Sequence, residues 1–577
     1  MSPAAQSLFS LRLPAWRSRL LLMGLLAWFV VLAGRALYLQ GLHNDFLQRK
    51  GEQRYSRVIE ISATRGMIVD RNKEPLAIST PVESVAASPA DIEITPAQTT
   101  RLANLLEMNV GEISKRLADP AREFVYLKRQ LPPELAAKVI ELGIPGVFLQ
   151  REYRRYYPAG EVMAHIIGFT GVDDQGQEAL ELAFDDTLAG KPGSRRVIKD
   201  RLGNIIEDIE GIQQPQNGRM LTLAIDTRIQ HLSFRELKNA VAENRAKAGG
   251  IVVLDVGTGE VLAMANLPSY NSNNRGKFDP IRTRNRAVTD LFEPGSTLKP
   301  FTVAAALDAG AVTPDSVIQT APGYLAIGNR TIHDAHANGA LTVAQVIQKS
   351  SNIGAAKIAL ALPAETMWGV LHRVGFGAPP NLEFPGGVSG KLRAYSTWRP
   401  IEQATMSYGH GISVSLIQLA RAYSIFATDG ELKPVTLIKR GAPVAGTRVI
   451  SPATAQAVRR MLEMAVQPGG TAPRAQIVGY RVAGKTGTAH KIEGKGYASN
   501  KYVSAFVGFA PASSPRLIVA VMIDEPTAGQ YYGGTVAAPV FSRVTAEVLR
   551  ILAVPPDAPV NNVVLPPATM PEIKEEV

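Results

Sequence analysis

Three short stretches place hydroxyl, amine and amide side chains at spacings that suit acyl transfer. Ser296 and Lys299 form S-x-x-K in FEPGSTLKP, Ser350 and Asn352 form S-x-N in QKSSNIG, and Lys485 opens K-T-G-T in VAGKTGTAH. Side chains three residues apart at a helix start share one face, so the Lys299 amine can reach the Ser296 hydroxyl and act as its base. The first helical turn also directs backbone N–H groups towards a substrate. The pattern predicts a serine nucleophile.

The third stretch has a competing interpretation as a phosphate loop. Counted from Gly479 it fits G-x-x-x-x-G-K-T, and the run from Leu517 to Glu525 resembles a strand that ends in a magnesium-binding Asp. A phosphate loop must lead into a helix that starts at the Lys-Thr pair. Here Gly487 follows Thr486, and no helical pattern of useful length precedes Leu517. The sequence therefore favours a peptide over a nucleotide as the partner of Lys485.

The predicted secondary structure before about residue 215 differs from that after Leu221. Residues from about 50 to 215 show short strands and turns, with helical patches near Pro96 to Glu107 and Pro133 to Glu141. After Leu221 the pattern predicts helices packed on an antiparallel sheet, with a hairpin at Ile251 to Ala265. Long helices are predicted at Arg228 to Ala246, Thr297 to Ala309, Val343 to Leu362 and Ser415 to Asp429.

The N-terminus carries a membrane-targeting pattern. Leu20 to Gly34 is uncharged and follows three arginines, and Ala36 to Leu39 extends the apolar run. Arginines before such a run place its N-terminus in the cytoplasm. We expect an uncleaved anchor. A signal peptide cleaved after Val31-Leu32-Ala33 is the alternative. In either case the remaining chain lies outside the cytoplasm.

Composition narrows the remaining classes of function. The 577 residues include no cysteine, which excludes disulfides, thiol catalysis and thiolate metal sites. The net charge of +11 is spread along the chain, so no nucleic-acid partner is predicted. No cofactor or metal is predicted either. His333 and His336 lack further ligands nearby, and Gly257-Thr258-Gly259 is a hairpin turn rather than part of a dinucleotide site.

Taken together and in this order, the three stretches resemble those of the penicillin-binding proteins. The chain is most similar to the class B, division-type, FtsI-like peptidoglycan D,D-transpeptidases (penicillin-binding protein 3 type), also through RGMIVDRN and RRYYPAGEVMAHIIGFT. The resemblance implies an α+β multidomain fold: a membrane anchor, a β-rich extended pedestal, and a transpeptidase domain with a five-stranded antiparallel sheet flanked by helices. The expected segments are a cytoplasmic tail (1–19), the anchor (20–39), the pedestal (40–220), the transpeptidase domain (221–555) and a flexible tail (556–577).

The resemblance also implies roles for individual residues. Ser296 would attack the penultimate D-Ala carbonyl of a pentapeptide stem with Lys299 as base, Ser350 would relay protons, and Asn352 would hold Lys299 and the substrate amide. Lys485 would attract the substrate carboxylate. The backbone N–H groups of Ser296 and Thr488 would form the oxyanion hole. The expected substrate-binding residues are Thr486, Gly487, Thr488, Tyr408, Tyr502, Tyr531 and Tyr532. For the four tyrosines, packing in the core or on the surface is the alternative.

Two positions depart from the family pattern. His410 stands in YGHGIS where close relatives often have an aromatic residue, which bears on inhibitor affinity or substrate fit. Ala179 stands in QEALE where the family usually has Gly, which concerns only the geometry of the pedestal.

The implied function is cross-linking of stem peptides in septal cell-wall synthesis, with acylation by β-lactam antibiotics. The catalytic domain would lie in the periplasm on a single-pass anchor in the inner membrane, with a polytopic FtsW-like glycosyltransferase and other division proteins as partners. The enzyme alternatives are a D,D-carboxypeptidase and a serine β-lactamase. A low-turnover membrane scaffold or β-lactam sensor is the alternative outside enzymes.

Overall fold

The computed structural model describes residues 15–39, 56–122, 124–199, 205–274, 279–494 and 496–564. The chain forms two compact units. The first comprises Met1–Ala63, Pro81–Tyr153 and Lys191–Gln216, and the second comprises Thr64–Thr80, Arg154–Gly190 and Asn217–Val577. The second unit thus joins the predicted transpeptidase domain to segments of the predicted pedestal. The domain boundaries given above stay predictions.

The first unit begins with the helix Ala15–Leu37, which includes most of the predicted anchor. Its 23 residues have a mean hydropathy of 2.2 in the most apolar window, and none is buried. At about 1.5 Å per residue such a helix is roughly 35 Å long, which is enough to cross a hydrocarbon core of about 30 Å. Within the described residues it is the one helix long and apolar enough to cross a membrane.

The other described residues of the first unit form several strands and three helices. Apolar residues of these helices and strands, such as Leu102, Ile113 and Leu127, share one core. The strand Pro75–Ala87 enters this unit at Pro81, and its second half pairs with Val125–Leu131. A separate antiparallel sheet consists of Ser56–Ile61, Gly193–Lys199 and Ile205–Gln213. The helices are Pro96–Leu106, Val110–Leu117 and Pro133–Ile140, and the first and third confirm the predicted patches.

Buried charges organise the pedestal segments of the second unit. The Arg65 guanidinium bonds to Glu181 at 2.6 Å and Asp185 at 2.7 Å, and Arg155 bonds to the other oxygen of Glu181 at 2.7 Å. Each buried charge is thereby paired, as a dry interior requires. Ala179 has a φ of 51°, a left-handed conformation that favours glycine. The short elements here are Ile68–Val69, Gly160–Val162, Ala164–Ile167, Ala179–Ala183, Asp185–Leu188 and Leu221–Thr222.

A five-stranded antiparallel sheet forms the centre of the second unit. Its strands are β1 (Ala248–Asp255), β2 (Val261–Leu267), β3 (Ala483–Glu493), β4 (Gly496–Ala510) and β5 (Leu517–Asp524). They pair in the order β2-β1-β5-β4-β3, so β3, which carries Lys485, lies at one edge. The predicted hairpin is β1 and β2. An edge strand leaves backbone groups available for a further strand.

Helices cover both faces of this sheet because its side chains alternate between two cores. Val252 and Leu254 pack with Phe301 on one face, whereas Ile251 and Val253 pack with Leu237 and Phe541 on the other. This arrangement confirms the predicted fold class. The α-helices described after Leu221 are Thr227–Glu243, Pro280–Thr283, Arg286–Thr289, Lys299–Asp308, Val343–Lys349, Asn352–Leu360, Ala364–Arg373, Pro400–Met406, Leu416–Ala422, Ser424–Ala427, Pro452–Val466, Gly533–Val536 and Ala538–Ile551.

The structure differs from two of the sequence-based expectations. The helix predicted from Val343 to Leu362 is interrupted at Ser350, so two shorter helices meet there. The tail predicted to be flexible from residue 556 is bonded to the loop before β3 as far as Val564. Asn562 alone donates to the Ile477 and Tyr480 carbonyls and accepts from Gly479 N–H. The prediction was wrong for this part of the tail, because composition does not show such backbone bonding. Residues 565–577 lie outside the described residues.

Candidate active site

A short 3-10 turn holds Ser296 at the start of a helix. The turn Gly295–Leu298 leads directly into Lys299–Asp308, as the S-x-x-K spacing predicts. Gly295 has a φ of 53°, which a side chain would strain. Tyr423 OH donates to the Thr297 carbonyl at 2.8 Å, and the Thr297 hydroxyl donates to the Pro294 carbonyl at 2.7 Å. Ser296 therefore sits on a backbone that is held by hydrogen bonds on both sides.

Ser296, Lys299 and Ser350 form a closed set of hydrogen bonds. Lys299 Nζ lies 2.8 Å from Ser296 Oγ and 3.0 Å from Ser350 Oγ, and the two hydroxyl oxygens are 3.0 Å apart. Lys299 also donates to the Ser350 carbonyl at 2.6 Å. Its side chain is fully buried, and Ser296 is 5% exposed. A proton can thus pass between all three groups without solvent.

Ser350 reaches this position because it adopts an uncommon backbone conformation. Its φ of 60° and ψ of 39° are left-handed and end the helix Val343–Lys349. A non-glycine residue in this region is held there by its surroundings at an energetic cost, and such residues cluster at functional sites. The interruption of the predicted long helix is thus the feature that turns the Ser350 hydroxyl and carbonyl towards Lys299.

Asn352 begins the next helix and has one side-chain atom without a partner. Its Nδ2 donates to the His333 carbonyl at 3.3 Å. Its Oδ1 is buried and has no hydrogen-bond partner among the described residues, so the expected bond from Lys299 to this oxygen is not formed. A buried carbonyl oxygen without a donor is unfavourable unless a ligand supplies one. A substrate N–H group is such a donor.

Lys485 is fully buried at the edge strand and lies among threonine hydroxyls. Its Nζ is 3.0 Å from Thr486 Oγ1 and 3.4 Å from Thr471 Oγ1, and these two hydroxyls are 2.8 Å apart. Thr488 Oγ1 accepts from Gly533 N–H at 3.0 Å. This cluster offers positive potential and hydroxyl donors to an anion. Thr471 was not predicted, because only its fold brings it to the strand.

The edge strand packs directly against the turn that carries Ser296. A methyl group on Gly487 would lie 2.7 Å from the Pro294 carbonyl oxygen and 2.9 Å from Thr297, and one on Gly295 would lie 3.0 Å from the Thr488 carbonyl oxygen. Only glycine allows this close approach of the two backbones. The structure therefore brings the predicted S-x-x-K, S-x-N and K-T-G-T residues to one place.

Comparisons with known proteins agree with this geometry. The family model described as "Penicillin binding protein transpeptidase domain" matches residues 249–546, and that described as "Penicillin-binding Protein dimerisation domain" matches residues 60–223. "Peptidoglycan D,D-transpeptidase FtsI" of Escherichia coli K12 is 44% identical over 94% of this chain and 93% of its own length. The chain belongs to the penicillin-binding transpeptidase family. The predicted family and the predicted enzyme class are thereby confirmed.

Two further relatives of this penicillin-binding transpeptidase support the same assignment. "Probable peptidoglycan D,D-transpeptidase PenA" of Neisseria gonorrhoeae is 43% identical over 94% of both chains. The solved transpeptidase domain of Burkholderia pseudomallei penicillin-binding protein 3 is 50% identical. It covers 58% of this chain and 98% of its own, with a TM-score of 0.55.

The four predicted tyrosines of the penicillin-binding transpeptidase fall into two groups. Tyr502 and Tyr531 stack with ring centroids 4.0 Å apart, and Tyr531 and Tyr532 join through their hydroxyls at 3.0 Å. All three are half-buried, and Ser504 on β4 holds the Tyr531 carbonyl. Tyr408 is 7% exposed and packs with Ile332 and Ile353 in a separate small cluster. Its surroundings match a packing residue, whereas the other three form a continuous aromatic surface.

His410 lies among polar and aromatic residues that the sequence did not connect. Its ring is 5.1 Å from that of Tyr408 and 6.0 Å from that of Tyr497. The Tyr497 hydroxyl donates to Glu293 at 3.0 Å, and Glu293 also accepts from Gly411 N–H at 2.8 Å. Burial raises the pKa of Glu293, and these two hydrogen bonds oppose the rise. Glu293 thus links the loop before Ser296, the His410 loop and β4.

The possible metal ligands of the described residues are His, Asp and Glu side chains. The described residues contain no group of three or more of these side chains that could hold a metal ion. His333 and His336 are both exposed, whereas the Asp334 between them is partly buried and bonded.

Proposed function

We propose that this protein cross-links peptidoglycan stem peptides through an acyl-enzyme on Ser296. The contact that carries the proposal is the 2.8 Å separation of Ser296 Oγ and the fully buried Lys299 Nζ. Ser296 Oγ attacks the penultimate D-Ala carbonyl, and its proton passes to Lys299. The bond to the terminal D-Ala breaks, and that D-Ala leaves with the proton as a free amino acid. The amine of a second stem then attacks the ester and restores the Ser296 hydroxyl.

The remaining site residues support this chemistry in distinct ways. Ser350 lies within hydrogen-bond distance of both Ser296 and Lys299 and relays the proton to the leaving amine. Asn352 Oδ1 accepts the substrate amide N–H, and the Lys485 cluster holds the terminal carboxylate. The substrate pairs with the edge of β3 as an added strand. The N–H groups of Ser296 and Thr488 hold the oxyanion.

The aromatic surface of Tyr502, Tyr531 and Tyr532 borders the same strand. Gly533, the residue after Tyr532, donates its N–H to the hydroxyl of Thr488, which lies three residues after Lys485 on that strand. Stacked rings exclude water, and a dry site favours attack by an amine over hydrolysis. This supports transpeptidation over the carboxypeptidase and β-lactamase alternatives.

We also propose a location and a partner. The helix Ala15–Leu37 anchors the chain as a single pass in the inner membrane, with the catalytic domain in the periplasm. The similarity to FtsI favours septal synthesis beside a polytopic FtsW-like glycosyltransferase. Co-purification of the two membrane proteins after co-expression tests the partnership, and failure to associate in a detergent that preserves both would refute it.

One experiment tests the acyl-enzyme and the anchor together. The full chain is extracted from membranes, incubated with benzylpenicillin and weighed by intact-protein mass spectrometry over hours. We expect the 62.0 kDa chain to gain the mass of the drug stably, and the Ser296→Ala variant to gain nothing. A chain shortened near Ala33 would show that the N-terminal segment is cleaved.

The other outcomes distinguish the alternatives. An adduct that disappears as the drug is hydrolysed indicates a β-lactamase. With a pentapeptide donor and an amine acceptor, release of D-Ala without a cross-linked product indicates a carboxypeptidase. Labelling of Ser296→Ala, or no labelling of the native chain, contradicts the proposed function.

A further inference from the structure

A hairpin outside the three catalytic stretches contacts the Ser350–Asn352 segment. It consists of Tyr324–Ile327 and Arg330–His333, and Asp334 follows its second strand. Asp334 Oδ2 accepts from Ser351 Oγ at 2.5 Å, and Asp334 Oδ1 accepts from Ile353 N–H at 3.0 Å. One carboxylate therefore holds the residues on both sides of Asn352.

The Asp334 carboxylate accepts hydrogen bonds at the N-terminus of a helix, where backbone N–H groups need acceptors. The helix Asn352–Leu360 has N–H groups in its first turn that lack intrahelical partners. Ser351 is the N-cap, and its hydroxyl accepts from Gly354 N–H at 2.9 Å while donating to Asp334. Asp334 accepts a hydrogen bond from Ile353 N–H, and its negative charge is favourable at a helix N-terminus. Together they fix the first turn, which carries Asn352.

The hairpin has few other contacts that could do the same. Its buried Ile332 packs with Ile353, Ala356, Ala404 and Tyr408, with Leu325 and Ile327 partly buried beside them. Such a small cluster fixes the distance of the hairpin from the helix but not the orientation of a polar side chain. The directional contacts are those of Asp334 and the bond from Asn352 Nδ2 to the His333 carbonyl.

We propose that Asp334 is a positioning residue that keeps Ser350 and Asn352 in their reactive orientations. Ser350 is in a left-handed conformation that costs energy, so the chain on its C-terminal side must be held. Asp334 provides that restraint through Ser351, the next residue. It also leaves Asn352 Oδ1 buried and available to a substrate N–H group. This inference rests on the roles proposed above for Ser350 and Asn352.

The test measures the acylation rate of the full chain by a fluorescent penicillin, separately from the fraction of chains that become labelled. Asp334→Ala should slow acylation on the order of 10-fold or more, because a charge-assisted hydrogen bond is lost. The labelled fraction should reach that of the native chain. Asp334→Asn keeps one acceptor oxygen, so its acylation rate should lie between those of the native chain and Asp334→Ala. His336→Ala, on the same loop but exposed, should react at the native rate.

The Ser351→Ala variant provides a second test, in which its acylation rate is compared with that of the double variant with Asp334→Ala. Because Ser351 and Asp334 bond each other and hold the same turn, the double variant should be little slower than Asp334→Ala alone, so their effects on the rate should not multiply. Native rates in both Asp334 variants would overturn the inference. So would a smaller labelled fraction that reacts at the native rate, since that indicates only loss of folded protein. A native chain that is not labelled at all would contradict the proposed function instead.

Discussion

At the scale of single residues, the site combines amine and hydroxyl groups that are shielded from water. Lys299 and Lys485 are both fully buried, and each is surrounded by hydroxyl or carbonyl oxygens. The chemistry of these residues could be predicted from the sequence because few other roles require S-x-x-K, S-x-N and K-T-G-T in one chain. Asp334 and Thr471 could not, since their roles depend on partners brought close only by folding.

His410 gives a prediction about pH at this scale. Its side chain is half-buried, and desolvation lowers its pKa to about 4, with a further electrostatic contribution from the Lys299 ammonium. The ordinary histidine pKa is about 6.5. Between these values the unfolded chain binds a proton that the native protein does not, so native stability falls as the pH falls from about 6.5 to about 4.

Replacing His410 should reduce this loss. We expect His410→Tyr to lose less stability than the native chain between pH 7 and pH 4.5, as measured by urea unfolding at both values. His336→Ala, which changes an exposed histidine, is the control and should retain the native pH dependence. If the free energy of unfolding of His410→Tyr fell between pH 7 and pH 4.5 by as much as that of the native chain, the prediction would be contradicted.

At the scale of elements, the site depends on backbones that approach each other without side chains. Gly409 precedes His410 and has a φ of 92°, and a methyl group there would lie 2.2 Å from the Gly295 carbonyl oxygen and 2.5 Å from its nitrogen. The loop of residues 408–411 therefore packs closely against the Ser296 turn. Glu293 stabilises this contact by accepting a hydrogen bond from Gly411 N–H.

Gly409→Ala should disturb both stability and reactivity. We expect the free energy of unfolding to fall by more than about 1 kcal/mol from left-handed strain alone, and acylation to slow because the Ser296 turn must move. Gly441→Ala is a matched control. Gly441 has a φ of 77° with no atom within 4 Å of the added methyl group, so it should show the strain without the loss of acylation. Equal acylation rates in the two variants would contradict this account.

The elements also show where prediction from sequence ends. The apolar periodicity from Val343 to Leu362 predicts one helix, and the structure has a helix on each side of a break at Ser350. The break itself depends on Ser350 bonding Lys299 and Ser351 bonding Asp334, contacts with residues 51 and 17 positions away. Local pattern carries no information about such distant partners. The hairpin β1 and β2, in contrast, is fixed by neighbours in sequence and was predicted.

At the scale of the whole molecule, the C-terminal residues up to Val564 complete the catalytic unit. Asn562 makes three hydrogen bonds to the loop before β3, and Asp557 accepts from Arg481 N–H at 2.7 Å and from the Ser513 hydroxyl. Gln476 and Val564 exchange a further pair of bonds. The tail therefore fastens the segment that leads into the Lys485 strand.

Asn562→Ala should loosen this attachment. Loss of its hydrogen bonds leaves partly buried backbone groups unsatisfied, and we expect the free energy of unfolding to fall by about 1–3 kcal/mol. The neighbouring Asn561 is exposed, so Asn561→Ala is the control and should change stability by less than about 0.5 kcal/mol. Thermal unfolding of both variants checks the prediction, and equal melting temperatures would refute it.

The wide separation of the three catalytic stretches has a consequence for how the protein is made. Ser350 follows Ser296 by 54 residues and Lys485 follows it by 189, so Ser296, the proposed nucleophile, meets these groups only when the unit has folded through β3. A nascent or exported chain that is still unfolded carries a serine of ordinary reactivity. Penicillin labelling is therefore a conformational reporter: in a pulse-chase experiment, the delay between synthesis and labelling measures the time this chain needs to fold.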